Sequence, residues 1–389
     1  MILEDLELKG FRNYQEANLQ FSPGVNVFLG ANAQGKTNLL ESIYFLGLAR
    51  SHRTAKDKEL IKWDEAFTRV KGLVRTSHNS YPLEISVSKT GKQAKMNHLD
   101  QNKLSHYIGN LNIILFAPED LELVKGPPAT RRRFIDIELG QMNPIYLHQV
   151  VEYQRILKQR NQYLKLSNQP KKFDQLYLEI LTDQLAQAGS QVIYDRKQFS
   201  KDLEALAQPI QANISQAEEE LKIQYETSVQ DDNLSQKESI YYNLLDLYDQ
   251  NQDKEFRRQT TVVGPHRDDL AFYVNGHNVQ TYGSQGQQRT TSLSVKLAEI
   301  DLMKDKTSEY PVLLLDDVLS ELDDDRQTHL LKTIENKVQV FLTTTSLEGV
   351  KIELLNQPQI YSVTSGQVTV DSDCGQGEWS DWHQCPGKP

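Results

Sequence analysis

Gly30-Ala31-Asn32-Ala33-Gln34-Gly35-Lys36-Thr37 spells G-x-x-x-x-G-K-T. In such a loop, backbone N–H groups cradle phosphates at a helix N-terminus. Lys36 is expected to reach the β- and γ-phosphates, and the Thr37 hydroxyl to bind Mg²⁺. A second run, Val312-Leu313-Leu314-Leu315-Asp316-Asp317, is apolar until it ends in two carboxylates. One carboxylate at a strand end can hold Mg²⁺, usually through water, and a neighbour can orient or deprotonate an attacking water. Asp316 is accordingly assigned to the metal and Asp317 to the water. A third run, Gly283-Ser284-Gln285-Gly286-Gln287-Gln288-Arg289, opens a helix. Ser284, Gly286 and Gln287 with exposed N–H groups make a second anion site there, or Ser284 is an ordinary helix cap. A chain that already holds phosphates with one loop needs a second site only if it closes over nucleotide bound to a different subunit.

These groups need strands and helices to hold them. Val25, Val27 and Leu29 alternate with Asn26 and Phe28 directly before Gly30, and Leu39, Leu40, Ile43, Tyr44 and Leu46 follow in a helix. Tyr81, Leu83, Ile85 and Val87 alternate up to a turn at Thr90-Gly91-Lys92. Between Pro144 and Pro209 the spacing becomes helical. Leu147, Val150, Gln154, Leu157, Asn161 and Leu164 form one stripe, and Leu178, Leu181, Leu185, Ala188, Val192 and Phe199 a second. Joined by the loop around Ser167-Asn168-Gln169-Pro170, they predict an antiparallel helical hairpin of coiled-coil character. Gln154 and Asn161 fix its register, face a partner, or sit at the edge of the stripe. After an acidic stretch from Glu218 to Asp253, Thr260–Val263 and Phe272–Val274 are expected strands, the second ending in an Asn275-Gly276 turn. Helices are expected at Gln285–Met303 and Asp325–Ile334, and a strand at Val338–Leu342. Strand–helix alternation on both sides of a helical middle predicts an α/β domain interrupted by a helical one. We place the head at 1–122 and 256–370, the insertion at 123–255, and a flexible tail at 371–389.

The 389 residues carry 43 Lys+Arg and 53 Asp+Glu, a net charge of −10, and 38% are hydrophobic. That composition describes a globular protein with an ample core and excludes collagen-like or wholly disordered chains. Neither a secretory leader nor an apolar run of transmembrane length is expected, so a cytoplasmic protein is the default. Cys374 and Cys385 are too few for a disulfide framework and too far apart for a tight metal site. The charge is lopsided. Residues 1–135 total +5 and residues 216–255 total −8, so the acidic balance does not exclude an anionic partner.

The phosphate loop, the Ser284–Gln287 motif, the Asp316-Asp317 strand and Ser320-Glu321-Leu322-Asp323 occur in the order found in ABC-type ATPases. They resemble that superfamily's Walker A, signature, Walker B and D-loop. Within it the chain resembles the RecF family of bacterial recombination-repair ATPases. The resemblance rests also on Leu8–Tyr14, Phe116–Leu121, Arg131–Asp136 and Gly264-Pro265-His266-Arg267-Asp268-Asp269, and it spans roughly residues 1 to 345. It implies an ABC-type P-loop ATPase head, like those of SMC proteins, with a short helical domain in place of a long coiled coil. It also implies that two ATP molecules are sandwiched in a homodimer. Gly30–Thr37 and Asp316 would act from one subunit, and Ser284, Gly286 and Gln287 from the other. The family binds DNA in an ATP-dependent way, at single-strand gaps and on duplex. Its members cooperate with RecR and RecO to place RecA, and slow hydrolysis releases the clamp.

Some residues depart from the superfamily pattern. Thr343-Thr344-Thr345 stand where many ABC ATPases place a switch histidine, and Asp317 stands where many use Glu, which together suggest a slow timer. Phe116–Asp120 contains no Gln, so the Q-loop is unassigned. Arg131, Arg132 and Arg133, with Arg53 and Lys56, are candidate contacts to DNA phosphates, or else form ion pairs with head residues. A transporter's nucleotide-binding subunit would share the head motifs but should lack the arginine run and the long insertion. A small-molecule kinase would have no use for Ser284–Gln287. The sequons at Asn213 and Asn233 carry no meaning without secretion.

Overall fold

Alternation of apolar and charged residues forms the first strands. In the computed structural model, which describes residues 1–166, 173–230, 235–335, 337–347 and 357–370, β1 (Ile2–Leu3) and β2 (Asp5–Phe11) open the chain. Leu6 and Leu8 of β2 are buried, while Lys9 is exposed. β3 (Tyr14–Gln20) and β4 (Val25–Leu29) follow, then the phosphate loop and α1 (Lys36–Leu48). β5 (Phe67–Arg75), β6 (Ser80–Ser88), β7 (Gly91–Met96) and β8 (Leu99–Asp100) complete an antiparallel sheet in the order β3-β2-β5-β6-β7-β8, with β1 paired to β5. β9 (Ile113–Phe116) ends this first stretch.

Helices then dominate: α2 (Leu121–Lys125), α3 (Pro128–Met142), α4 (Pro144–Leu164) and α5 (Gln175–Ile214). β10 (Leu221–Glu226), α6 (Lys237–Gln250), α7 (Gln252–Arg258), β11 (Asp269–Val274), β12 (His277–Asn278) and α8 (Val279–Tyr282) lead to α9 (Gln285–Thr307). β13 (Val312–Asp316), α10 (Asp324–Ile334), β14 (Val340–Thr344), β15 (Gln359–Thr364) and β16 (Gln367–Val370) close the described chain. The second sheet runs β16-β15-β4-β14-β13-β9, parallel except for the antiparallel β15–β16 pair. β13 and β14 are buried along their whole length, as strands covered on both faces must be.

Two compact units result: Met1–Asp120 together with the chain from Lys296 onward, and Leu121–Val295. The chain returns to the first unit about forty residues later than its composition suggests. β11 pairs with β10 from Leu221↔Val274 to Glu226↔Asp269, and Arg131 of α3 binds Asp269. Those contacts keep residues 256–295 with the helices, and α9 is one continuous helix across the division. The loop at Ser167–Pro170, Asn233 with Leu234, and the tail 371–389 with both cysteines lie outside the described residues.

Several elements differ from expectation. Thr260–Val263 is irregular, not a strand. Its polar backbone is satisfied by side chains, as Thr261 N–H donates to Asn161 Oδ1 (2.7 Å) and Val262 N–H to Glu255 Oε1 (2.9 Å). β10 lies inside the acidic stretch, with Leu221, Ile223 and Tyr225 buried at a period of two. α5 passes through Pro209 to Ile214, giving up one backbone hydrogen bond. The buried stripe of α4 is Tyr146, Val150, Tyr153, Ile156, Arg160 and Leu164. Gln154 is exposed. Tyr146, Tyr153 and Arg160 displace the expected Leu147 and Gln154 because their polar ends find partners inside. Tyr146 Oη donates to Asp136, Tyr153 Oη donates to His266, and Arg160 pairs with the fully buried Glu255 at 2.7 Å.

Candidate nucleotide-binding site

β4 delivers the chain to Gly30, and α1 carries it away from Gly35. The turn between them is tight at both glycines. A Cβ on Gly30 would lie 2.4 Å from the Val363 carbonyl oxygen, and one on Gly35 would lie 2.5 Å from Asn13 Nδ2. Gly35 also takes φ +120°, a conformation costly for residues with a Cβ. Neighbouring segments brace the loop from outside. Asn13 Nδ2 donates to the Gln34 carbonyl (3.1 Å), Tyr14 Oη to the Gly35 carbonyl (3.0 Å) and Ser365 N–H to Gln34 Oε1 (2.7 Å). Ala31, Asn32 and Ala33 form the exposed crest of the loop. The first turn of α1 has no side-chain cap and no acidic residue. Its positive dipole end and orphan N–H groups therefore face the loop interior, suited to an anion.

Lys36 Nζ donates to the carbonyls of Gly30 (2.6 Å) and Ala31 (3.0 Å), so the ammonium lies across the loop. Burial lowers its pKa, and the charges of Asp317 and Asp316 oppose that fall. Both carboxylates are thus electrostatic neighbours of the lysine. Thr37 Oγ1 donates to Asp316 Oδ1 at 3.0 Å, and Thr343 Oγ1 donates to the same oxygen at 2.8 Å. The sheet order makes this meeting possible, because β14 lies between β4 and β13. Asp317 sits just past β13 with φ 55°, and its N–H donates to Thr343 Oγ1 at 3.0 Å.

Behind the loop, Glu41 is fully buried on α1, one turn beyond Thr37. Arg12 binds it in a fork (2.7 and 2.8 Å), Ser51 donates to it at 2.5 Å, and Arg53 lies 3.5 Å away. Burial alone would raise its pKa. Hydrogen bonds from Arg12 and Ser51, with the charges of Arg12 and Arg53, instead hold it below the usual carboxylate range. Arg53 also donates to Asn38, which donates to Asn13, the residue bracing Gln34. Asn13, Tyr14, Ser365 and Thr343 are thus site residues that motif spacing does not reveal. Asp120, in the stretch without a Gln, accepts from Ala117 N–H at 2.9 Å, and burial pushes its carboxyl up to about 6.

In the second unit, Ser284 and Gln287 form a reciprocal cap. Ser284 N–H donates to Gln287 Oε1 (3.0 Å), and Gln287 N–H donates to Ser284 Oγ (3.2 Å). Ser284 and Gly286 are exposed, so the cap leaves this helix start open to solvent. The candidate DNA contacts separate sharply. Arg131 is buried, binds both oxygens of Asp269 (2.7 and 2.8 Å) and donates to the Gly126 carbonyl, so as a DNA contact it is corrected to a structural ion pair. Arg132 is half-buried and donates to the Asp268 carbonyl at 2.7 Å. Arg133 is exposed. Arg53 is partly committed to Asn38 and Glu41, and Lys56 is exposed, 3.6 Å from Glu59.

A family profile described as RecF/RecN/SMC N terminal domain matches residues 2–369. A DNA replication and repair protein RecF from Pediococcus pentosaceus is 56% identical over 366 residues, covering 94% of this chain and 98% of that protein. The chain belongs to the RecF family. A second RecF protein, from Bacillus subtilis, is 52% identical over 368 residues, covering 95% of this chain and all of that one. A solved structure of the recombination mediator protein RecF with ATP, in the RecFOR pathway, superposes with a TM-score of 0.88 at 33% identity, covering 95% of this chain and 97% of that one. An Smc head domain from Pyrococcus furiosus, bound to the C-terminal domain of ScpA, shares the fold at a TM-score of 0.54 and 16% identity. The ABC-type head expected from the motif order is therefore the RecF fold. Among the described residues, no helix is long and apolar enough to cross a membrane.

Proposed function

We propose that this chain is an ATP-switched DNA-binding protein of recombinational repair and replication. ATP closes two copies into a homodimer on DNA near single-strand gaps, slow hydrolysis releases them, and the clamp works with RecR and RecO to load RecA. The observation that carries this reading is the hydrogen bond between Thr37 and Asp316. It puts a hydroxyl and a carboxylate at one point beneath a phosphate loop, and an exposed Ser284–Gly286 helix start is available to a second copy.

The residues suit Mg²⁺ and ATP. Among the described residues no group of three or more His, Cys, Asp or Glu side chains could hold a metal. Mg²⁺ needs no such cluster, since it uses one or two protein oxygens and completes its shell with water and phosphate. Thr37 and Asp316 would supply those oxygens, and the ion would neutralise charge on the phosphates. Lys36 would exchange its two carbonyl acceptors for phosphate oxygens, and the N–H groups of Gly30–Gly35 would wrap them. Asp317 would orient the attacking water and take its proton. Ser284, Gly286 and Gln287 would complete the site from the partner copy, which makes hydrolysis depend on dimerisation.

Measuring DNA binding with and without ATP on gapped, duplex and single-stranded substrates tests the reading, with the dimer followed by gel filtration. ATP should raise the affinity and shift the chain to dimer in an Asp317→Asn variant. Affinity unchanged by ATP would sink it.

A further inference from the structure

We propose that Thr343 is a positioning residue for ATP hydrolysis, its one hydroxyl fixing the carboxylate of Asp316 and the backbone of Asp317. Thr343 lies in β14, opposite Asp316 in the parallel ladder, and is 1% exposed. The strand around it, Val340-Phe341-Leu342, is apolar, so a hydroxyl here has few partners unless the site provides them. Its hydroxyl both donates to and accepts from the tandem aspartates. It donates to Asp316 Oδ1 at 2.8 Å and accepts from Asp317 N–H at 3.0 Å. The first contact is to the same oxygen that Thr37 binds, so one carboxylate oxygen is fixed by two hydroxyls. The second ties down the backbone of Asp317, which at φ 55° lies in the left-handed region that few residues other than Gly, Asn and Asp enter. Thr343 therefore sets the metal-side carboxylate and the backbone that carries the water-side one together, at a position where the superfamily pattern shows only a missing histidine.

This inference rests on Asp316 and Asp317 serving ATP hydrolysis, so Asp317→Asn is the control. Single-turnover hydrolysis, Mg²⁺ titration of fluorescent-ATP binding and melting temperature would be measured for Thr343→Val, Thr343→Ser and Thr343→Ala. Thr343→Val should slow hydrolysis by roughly ten- to a hundredfold, the scale of a small misplacement of reacting groups. It should also raise the Mg²⁺ concentration needed for half-maximal binding, leave binding in EDTA unchanged, and be rescued in Thr343→Ser. Wild-type hydrolysis in a folded Thr343→Val protein would overturn the proposal. If Val prevents folding, Ser and Ala decide, and equal rates in those two also overturn it. If Asp317→Asn hydrolyses normally, the assignment of Asp317 to the attacking water fails and this inference falls with it.

Discussion

Thr37 Oγ1 lies 3.0 Å from Asp316 Oδ1, joining residues 279 positions apart. The contact exists because β4 and β13 flank β14 in one parallel sheet, so the loop after β4 and the end of β13 open at the same edge. Asp316→Asn keeps the shape and a carbonyl oxygen but removes the charge. Nucleotide affinity in Mg²⁺ should fall by about tenfold, equal to about 1.4 kcal/mol. Affinity in EDTA should hold. Titration of a fluorescent ATP analogue in the two buffers checks this, and equal losses in both would argue against metal binding by Asp316.

Glu41 lies beneath the same loop and is fully buried, with a forked Arg12 as its main partner. Glu41→Ala would strand the Arg12 and Ser51 donors and loosen the Arg53–Asn38–Asn13 chain that ends on Gln34. Losing charged hydrogen bonds of this kind costs about 1.5–3 kcal/mol each. A lower melting temperature with weakened nucleotide binding is expected. Because its folded pKa is depressed, Glu41 contributes stability above the ordinary carboxylate pKa, and that contribution is lost as pH falls through the folded value. The gap in melting temperature between the parent and Glu41→Ala should therefore narrow in acid.

The three chemical motifs were legible because their function needs residues at fixed local spacing. Gly30–Thr37 dictates its own loop, and Val312–Asp316 its own strand. The braces were not legible. Ser365 meets Gln34 across 331 residues and Thr343 meets Asp316 across 27, and only the assembled sheet creates those distances. The buried stripe of α4 departs from the expected one at Gln154 because apolar spacing undervalues tyrosine and arginine. Those side chains bury long apolar stems once their tips are paired, as Arg160 is with Glu255. At the arginine run the alternatives left open by the sequence divide, because the helical period of α3 turns Arg131 inward onto Asp269 and leaves Arg133 outside.

That divergence predicts two different phenotypes. Arg131→Ala leaves Asp269 without its guanidinium, and breaking a buried pair costs about 3–5 kcal/mol. It should destabilise the second unit, read by hydrogen exchange in α3 and β11. Arg133→Ala should leave exchange unchanged but lower DNA affinity, reducing the slope of log K against log salt by about 1 for one lost phosphate contact. A full salt slope in Arg133→Ala would remove that residue from the DNA surface.

Ser284 caps α9 and is exposed, so its two roles can be separated. Ser284→Ala should cost about 1 kcal/mol of helix stability through loss of the cap. Ser284→Arg places a bulky side chain at the surface that the proposed function gives to the partner's phosphates. It should abolish ATP-driven dimerisation in gel filtration while one subunit still binds nucleotide. If Ser284→Arg dimerises normally with ATP, the second anion site is only a cap.

His266 supplies a pH response in the second unit. Its Nε2 lies 3.2 Å from the Thr261 carbonyl oxygen, which can only accept, so Nε2 carries the proton and Nδ1 accepts from Tyr153 Oη at 2.7 Å. Burial, with the charges of Arg267, Arg132 and Arg160, holds the imidazole neutral and lowers its pKa from 6.5 to about 4. Between these values the unfolded chain binds a proton that the folded chain refuses, so stability rises with pH across that window. Passing from pH 7 to pH 5 should cost roughly 2 kcal/mol, since each unit of separation is worth about 1.4 kcal/mol. Hydrogen exchange of β10 and β11, corrected for intrinsic rates, should show this loss in the parent and a smaller one in His266→Gln. An imidazole titrating near 6.5 by NMR would refute the mechanism.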